Sequence, residues 1–306
     1  MSAWWAGNRQ RIFQLAGTIL AIVLLVVLVR ESGWEEIVTA FKKIKISNLL
    51  LVAFLFLISR IAMAFRWHVL LRSGGIDIHV KDSVSLTFTG LFTSNFLPST
   101  IGGDVVKLAG AMQMGYDRAV FLASIAADRL VGMTGMTMVL PIGVAHSWTL
   151  LGTTSPVSFS AAAWFKRPIA FFKRTLFIFK LWFKKPLSLI GSLAFTWLHM
   201  VCLFGSIYIF ANNLGNHVPF WQIAGLWSLT YFITLIPISI NGYGLQELSF
   251  TFLMSNVAGL TPAVSLSVAV LIRAFFIISS LPGAFFLPSI MAEMAKQKQE
   301  SSPNNI

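Results

Sequence analysis

A polar, glycine-rich break at Asn95–Lys107 constrains the fold of this chain more than any other feature, because it interrupts long apolar runs. Its sequence, NFLPSTIGGDVVK, brings proline, glycine, aspartate and lysine into a region otherwise apolar enough to lie in a membrane. A weaker version of the pattern, IPISINGYGLQE, occupies Ile236–Glu247. Irregular, charged backbone at membrane depth is tolerated only where it is buried in protein or lines a wet cavity. Two such segments in one chain therefore predict a transport-type site.

The composition supports a membrane location. Hydrophobic residues make up 56% of the 306 residues and charged residues only 11%, whereas a soluble domain carries roughly 25% charged residues. The net charge of +12 then indicates basic loops on the cytoplasmic side rather than nucleic-acid binding. One cysteine, Cys202, and five scattered histidines predict no disulfide framework, no metal and no cofactor. We expect a multi-pass integral membrane protein of the bacterial plasma (inner) membrane.

The apolar runs predict the architecture, because a helix needs about 20 apolar residues to cross a bilayer. Six runs are long enough to span, and two shorter ones flank the polar breaks. The six are 12–29, 47–71, 119–145, 187–210, 218–236 and 263–290, and the two are 83–98 and 244–258. We predict an all-α, polytopic membrane helix bundle of about six full spans with two interrupted or re-entrant segments. It forms a single domain over 1–290, followed by a polar tail over 291–306.

A basic, aromatic connection follows the third long run. Within its segment 160–186, lysines and arginines from Lys166 to Lys185 recur at roughly helical spacing among Phe and Trp. This pattern predicts an amphipathic helix on an anionic lipid surface, and a plain cytoplasmic loop explains the same charges. If all eight runs span, both termini lie inside, with Arg72 inside and Arg118 outside. Re-entrant runs would change that parity.

The chain also repeats itself. Pro98-Ser-Thr-Ile-x-Gly103 matches Pro237-Ile-Ser-Ile-x-Gly242, and an Ala-Val-x-Leu segment precedes an arginine in each half, with the same ten-residue spacing from alanine to Arg129 and Arg273. Paired interrupted segments are typical of transporters built from repeats. The sequence predicts repeat halves of about 83–145 and 219–290, and hydropathy does not decide whether they are parallel or inverted.

Eight charged residues lie in or beside the apolar runs, and each costs roughly 2.5–3.5 kcal/mol at a helix centre. They are Arg60, Arg66, Lys107, Arg129, Arg273, Asp104, Asp128 and Glu247. Such residues line a pathway or form structural ion pairs. Asp128 and Arg129 are adjacent and cannot face each other on a helix, so each needs a partner elsewhere. For Arg60 and Arg66 we favour a structural or snorkelling role.

The excess of basic residues suits a phosphate carried on a lipid, while the carboxylates would hold an amine or a coupling proton. Glycines let backbone N–H groups approach an anion, and helices that start near Asp104 and Leu245 would add their positive ends. We predict no catalytic residues. The predicted substrate-binding residues are Asp104, Lys107, Arg129, Glu247, Arg273, Gly102, Gly103, Gly242, Gly244, Asp128 and Arg66.

Several enzyme classes are disfavoured. The chain has no G-x-x-x-x-G-K-[ST] and no H-E-x-x-H motif, so we expect neither P-loop ATP use nor zincin chemistry. Residues 101–104 read Ile-Gly-Gly-Asp instead of the G-x-G-D loop of intramembrane aspartyl proteases. We therefore expect that the protein is not an enzyme.

These motifs resemble the transmembrane region of lysylphosphatidylglycerol synthases and related flippase-like proteins. In the first half, the family pattern P-x-x-x-G-G-[DE]-x-x-[KR] ends at Lys107 and is followed by Asp128-Arg129-Leu130. In the second half, the pattern P-x-S-x-x-G-x-G-x-x-E ends at Glu247 and is followed by Arg273. One departure is Arg66-Trp67-His68, where the family usually carries an Arg-Trp-Arg-like pattern. The resemblance implies a lipid-translocating module, here without the aminoacyl-transferase domain of the synthases.

Our leading hypothesis is therefore a flippase or transporter of an anionic or zwitterionic phospholipid head group. The alternative is a non-transporting membrane scaffold, or an accessory subunit of a lipid-modifying or glycosyl-transferring enzyme that docks on Lys166–Lys185. A small-solute transporter with the same repeat is a third possibility. In the leading hypothesis Arg129 and Arg273 hold the phosphate, while Asp104, Lys107 and Glu247 gate or couple.

Overall fold

A computed structural model describes residues 34–95, 102–152, 185–214, 217–236 and 239–288. The regular structure within these ranges is helical throughout, which confirms the all-α membrane bundle, and it includes a short 3-10 helix at Ile240–Gly242. The helices are α1 Trp34–Lys43, α2 Ile46–Ser73, α3 Val80–Ser94, α4 Gly102–Gln113, α5 Arg118–Gly152, α6 Pro186–Asn213, α7 Phe220–Thr234, α8 Leu245–Asn256 and α9 Pro262–Ser280. The predicted span 12–29, the basic residues up to Lys184 and the tail 291–306 lie outside the described residues.

Four of these helices are long and apolar enough to cross a membrane. Their membrane-length segments are Ile46–Ser73, Arg118–Ala145, Pro186–Asn213 and Pro262–Pro288, each of 27 or 28 residues. At 1.5 Å per residue such a helix is about 42 Å long, which exceeds the roughly 30 Å hydrocarbon core. Four of the six predicted spans therefore coincide with membrane-length helices.

Four of the five remaining helices form two short hairpins. Helices α3 and α7 have 15 residues each, and α4 and α8 have 12 each, so none reaches the length of a full span. Helix α3 packs antiparallel on α4, because Gly90 lies against Lys107 and Ser94 lies against Gly103. The described ends of the first polar break, Asn95 and Gly102, therefore lie at the tip of a re-entrant hairpin.

The second hairpin corrects one prediction. The run 218–236 was expected to be a full span, but α7 ends at Thr234 and the chain folds back into α8. Trp227 packs edge-on against Phe250, with ring centroids 5.7 Å apart, which is a usual separation for aromatic pairs. At the open end of the hairpin, the Gln222 side chain donates to the Val257 carbonyl.

The order of elements repeats along the chain. A 28-residue span, a 15-residue helix, a 12-residue helix and a second span occur as α2–α5 and again as α6–α9. The repeated unit is larger than the predicted halves, since it begins with α2 in the first unit and with α6 in the second.

The two units run in opposite directions. Helices α2 and α6 open the two units and lie antiparallel along their whole length. At one end Asn48 bonds to Asn213, in the middle Ser59 bonds to His199, and at the other end Lys185 donates to the Ser73 carbonyl. The repeats are therefore inverted, and the pseudo-twofold axis passes between the middles of α2 and α6, at the contact of Ser59 with His199.

The inverted arrangement also decides which ends of the helices lie together. Tyr116, just before α5, packs in one cluster with Ile76 and Ile78, just after α2. The start of α5 is therefore at the same end of the bundle as Arg72. This is the re-entrant alternative, and the arrangement with Arg118 opposite Arg72, which required all eight runs to span, does not occur. The physical reason is that the α3–α4 hairpin returns to the side from which it entered.

The far end of α5 lies at the other end of the bundle. Gly143 of α5 meets Gly225 of α7 so closely that a Cβ on Gly143 would lie 2.2 Å from the Gly225 carbonyl oxygen. Lys185, in contrast, lies beside Ser73 at the opposite end. Gly143 and Lys185 therefore lie at opposite ends of the bundle, and residues 153–184 are outside the described part of the chain.

Candidate functional site

Five of the predicted site residues line one cavity of about 230 Å³. The cavity lies where the α3–α4 hairpin meets α2, α5, α6 and α7. Three cations and two carboxylates face it, which gives the wall a net charge of +1. The five residues are Arg66, Asp104, Lys107, Asp128 and Arg129.

Arg129 and Asp104 form the more open ion pair of this cavity. The guanidinium Nη2 lies 2.5 Å from Asp104 Oδ2, and Nε donates to the same oxygen at 2.7 Å. The Arg129 side chain is 45% exposed and the Asp104 side chain 18%. Arg129 follows the start of α5 by three turns, about 16 Å along the helix axis, so this exposed guanidinium lies at membrane depth.

The first turn of α4 places Asp104 and Lys107 on one face of the helix. A carboxylate in a first turn is favoured by the positive end of the helix dipole, and α4 starts at Gly102 as predicted. Lys107 Nζ lies 3.9 Å from Asp104 Oδ1 and 4.6 Å from the ring centre of Trp67. The ammonium is therefore held between a carboxylate and an aromatic face.

Arg66 and Asp128 form a closed, bidentate pair in the same wall. Arg66 Nε and Nη2 donate to the two Asp128 oxygens at 2.7 and 2.9 Å, and the side chains are only 7% and 13% exposed. Asp128 and Arg129 thus have separate partners on different helices, which confirms the prediction that adjacent residues need partners elsewhere. A Cβ at Gly132 would lie 3.1 Å from Arg66 Nη1, so glycine leaves room for the guanidinium.

Glu247 and Arg273 form the equivalent pair of the second unit, outside this cavity. Arg273 Nε lies 2.5 Å from Glu247 Oε1, Nη2 donates to the Gly242 carbonyl, and the guanidinium lies 4.7 Å from the Tyr243 ring centre. The Gly244 N–H donates to Glu247 Oε2 at 2.8 Å. With side chains 13% and 5% exposed, this pair is closed by its own protein contacts.

The predicted glycines serve the two hairpin tips. Gly242 and Gly244 have φ values of 72° and 76°, a region that glycine adopts without strain. Gly102 and Gly103 open α4 and are buried. A Cβ at Gly103 would lie 2.2 Å from the Gly90 carbonyl oxygen, so this glycine lets α3 and α4 approach closely. Both tips therefore need glycine for the fold itself.

The hairpin tips contact each other. The Tyr243 hydroxyl donates to the Asn95 carbonyl at 3.3 Å, and the Asn95 amide donates to Ser280 Oγ at 2.8 Å. Tyr243 also covers Arg273. The second ion pair is therefore connected to the tip of the first hairpin through one aromatic side chain.

The sequence did not identify two further residues that line the cavity, His199 and Tyr231. It also did not identify Trp67 as the aromatic residue that packs against the Lys107 ammonium. His199 Nδ1 lies 2.6 Å from Ser59 Oγ, on the pseudo-twofold axis. Its contact could not be predicted because Ser59 lies on a different unit, and only the alignment of α2 with α6 brings the two positions together.

Comparison with known proteins identifies the family. A family model described as the lysylphosphatidylglycerol synthase TM region matches residues 14–283, which include both hairpins and all three ion pairs described above. The chain belongs to this family. The resemblance inferred from the two glycine motifs is thereby confirmed.

A relative from the archaeon Pyrococcus horikoshii, named UPF0104 membrane protein PH1989, is 24% identical over 136 residues. The match covers 43% of this chain and 40% of that protein. The chain thus spans less than half the length of this relative, and the printed name describes it only as a membrane protein.

Proposed function

We propose that this protein moves the head group of an anionic or zwitterionic phospholipid across the bilayer of a bacterial inner membrane. The observation that carries the proposal is Arg129, whose side chain is 45% exposed in a cavity at membrane depth. An ionisable side chain in such a position marks a substrate or ion pathway by default. Membership of the family supports the same function.

The charge of the cavity favours a phosphodiester. Such a group carries one negative charge at neutral pH, which balances the net +1 of the five lining residues. Arginine binds phosphate oxygens through two parallel N–H donors, and Lys107 Nζ lies near the same carboxylate as Arg129. A phosphate bound there would contact both cations and would displace Asp104 from Arg129.

The size of the cavity favours a head group rather than a whole lipid. Its volume of about 230 Å³ is smaller than the roughly 300–1,000 Å³ pockets that enclose drug-sized ligands. The acyl chains would therefore remain in the bilayer while the polar group enters between the α3–α4 hairpin and α5. Asp104, once displaced, would be available to an amine on the head group or to a coupling proton.

A reconstitution assay tests the proposal. Purified protein in liposomes is mixed with short-chain fluorescent tracers of phosphatidylglycerol, phosphatidylethanolamine and phosphatidylcholine, and transbilayer movement is measured by dithionite quenching. Hydrogen bonds to charged groups contribute about 1.5–3 kcal/mol, so Arg129→Ala should slow movement about 10- to 100-fold. Arg129→Lys should retain part of the rate.

The matched control is Arg72→Ala. Arg72 also belongs to an arginine–carboxylate pair, with Asp77, but their side chains are 55% and 93% exposed at the end of α2, so the rate should not change. The proposal is overturned if the wild-type protein moves none of the tracers faster than protein-free liposomes, or if Arg129→Ala moves them at the wild-type rate.

A further inference from the structure

Arg60 is a buried cation that forms no ion pair with any of the residues that the structure describes. It lies at the middle of α2 and is 6% exposed. Its Nε donates to Ser279 Oγ at 3.0 Å, its Nη1 lies 3.6 Å from the sulfur of Met63, and its guanidinium lies 4.8 Å from the Phe276 ring centre. A hydroxyl, a thioether and an aromatic face surround the charge, and none of them is an anion.

The carboxylates that the described residues bring into the bundle are already paired. Asp104 pairs with Arg129 and Lys107, Asp128 with Arg66, and Glu247 with Arg273. Within the described part of the chain, no salt bridge reaches Arg60. A buried charge without a counter-ion is strongly unfavourable, and side chains of this kind in membrane-spanning helices are functional by default.

Arg60 also lies between the two ion-pair sites. On one side it contacts Met63, which lines the cavity of Arg129. On the other side it covers Phe276, one helical turn beyond Arg273 on α9. The preceding residue, Ser59, bonds to His199 on the pseudo-twofold axis. Arg60 therefore lies next to the contact between α2 and α6 about which the two units are related.

We propose that Arg60 is a second phosphate-binding residue, which holds the anion midway between the Arg129 cavity and the Arg273 pair. The ligand class is a monoanionic phosphodiester or an equivalent phosphate oxyanion. This inference rests on the proposed function for the identity of the cargo, but the anion site itself can be tested separately. The missing counter-ion of Arg60 is supplied by the cargo when it passes.

A midway binding residue lowers the barrier to translocation. A phosphate that leaves Arg129 would otherwise cross the middle of the bundle without a cation, and conduction requires several sites, each weak enough to release the ion. The Arg60 guanidinium provides N–H donors at this point, and one of them now donates to Ser279 Oγ. The aromatic ring of Phe276 stabilises the guanidinium through its π face while the site is empty.

The experiment compares Arg60→Met, Arg60→Lys and the control Arg72→Met. Methionine keeps an unbranched side chain beside Met63 and Phe276 but removes the charge. We expect Arg60→Met to slow the movement of a fluorescent phosphatidylglycerol tracer at least tenfold, Arg60→Lys to stay within about threefold of wild type, and Arg72→Met to be unchanged. Because an uncompensated charge is removed, the empty Arg60→Met protein should melt at the wild-type temperature or above it.

A binding measurement separates the anion site from transport. Dioctanoyl phosphatidylglycerol and inorganic phosphate are titrated separately, in detergent, against the thermal midpoint of each variant. At least one ligand should stabilise the wild-type protein, and Arg60→Met should weaken that effect at least fivefold. Stabilisation by the lipid alone identifies a lipid head group as the ligand. Stabilisation by inorganic phosphate alone, without tracer movement, supports the anion site and overturns the proposed lipid transport.

Three results would overturn the role of Arg60. Arg60→Met could move the tracer at the wild-type rate, or it could keep the wild-type response to both ligands. Finally, without ligand, Arg60→Met and Arg60→Lys could both melt well below the wild-type protein. This result would show that Arg60 only supports packing around Phe276.

Discussion

Asp104 and Glu247 occupy the same place in the two units, the first turn of a 12-residue helix, and each pairs with an arginine of the following span. Their surroundings differ. The partner of Asp104 is 45% exposed, whereas the partner of Glu247 is 13% exposed and is also bonded to the Gly242 carbonyl. We infer that one sequence motif serves substrate binding in the first unit and structural support in the second, in the state that the structure represents.

This contrast predicts different stability effects. Glu247→Ala leaves Arg273 buried without its carboxylate, and the loss of one partner of a buried pair costs about 3–5 kcal/mol. Asp104→Ala affects a pair with a half-exposed guanidinium, and such pairs contribute about 1 kcal/mol or less. Unfolding by SDS titration, followed by tryptophan fluorescence, measures both. Asp77→Ala removes one partner of an exposed pair and serves as the control that should leave the stability unchanged. If Asp104→Ala and Glu247→Ala lowered the free energy of unfolding equally, the structural role of Glu247 would not differ from that of Asp104.

At the scale of the element, the hairpins depend on the close approach of short helices. A Cβ at Gly103 would lie 2.1 Å from Ser94 Oγ and 2.2 Å from the Gly90 carbonyl oxygen. Real Cβ atoms do not come that close, so a larger residue must push α4 away from α3. Because Asp104 and Lys107 belong to the same helix, such a shift would move both side chains relative to Arg129.

Gly103→Ala is therefore expected to lower stability by about 1–3 kcal/mol, as overpacking does, and to slow lipid movement. Gly191→Ala is the matched control, since the nearest atom to a Cβ there is Val69 Cγ1 at 3.9 Å. Alanine is favoured over glycine in a helix by about 1 kcal/mol, so the control should be neutral or more stable. Thermal midpoints and tracer rates measure both variants, and a Gly103→Ala protein that matches the control in both would show that the helices do not need this contact.

The sequence predicts the starts of the short helices correctly but not the length of every span, and both outcomes have a physical reason. The helix starts at Gly102 and Leu245 follow from glycine-rich breaks before a carboxylate in the first turn, a pattern that local chemistry explains. The run 218–236 was interpreted as a span because it is apolar throughout. In the structure Ile223 and Trp227 are buried inside the bundle, and a helix that is apolar on every side can be covered by protein as well as by lipid.

Ion-pair partners show the same limit. The sequence required Asp128 and Arg129 to have partners elsewhere, because adjacent residues point in different directions on a helix. It could not say that Arg66 and Asp104 are those partners, since both choices depend on how α2 and α4 pack against α5. Of the two roles expected for Arg66, structural or snorkelling, the structure shows the structural one, because its guanidinium turns inward to Asp128.

At the scale of the whole molecule, the inverted repeat gives the two ion-pair sites opposite orientations. The α3–α4 hairpin enters from the end of the bundle that carries Arg72 and Lys185, and the α7–α8 hairpin enters from the end that carries Asn213. Inverted repeats allow alternating access, because one unit can adopt the conformation of the other with the direction reversed. Under the proposed function, the difference in exposure between Arg129 and Arg273 corresponds to a state with the first site open and the second closed.

This topology predicts a labelling pattern. In a Cys202→Ser background, single cysteines replace Asp77, Asp117 and His217, all of which are exposed in the connections between helices. A membrane-impermeant maleimide is applied to vesicles of both orientations. Asp77→Cys and Asp117→Cys should react from the same side, because the first hairpin returns to the side it entered, and His217→Cys should react from the opposite side, because α6 runs antiparallel to α2.

The pattern discriminates between the re-entrant arrangement and a full crossing. If α3 and α4 together crossed the bilayer as one broken helix, Asp77→Cys and Asp117→Cys would react from opposite sides, and Arg129 would enter the membrane from the other end. The contact of Gly90 with both Gly103 and Lys107 makes the broken-helix arrangement impossible without separating the two arms. Labelling of the first two positions from one side would therefore fix the direction from which a head group reaches Arg129, and the position of His217 would fix the direction of the second site relative to it.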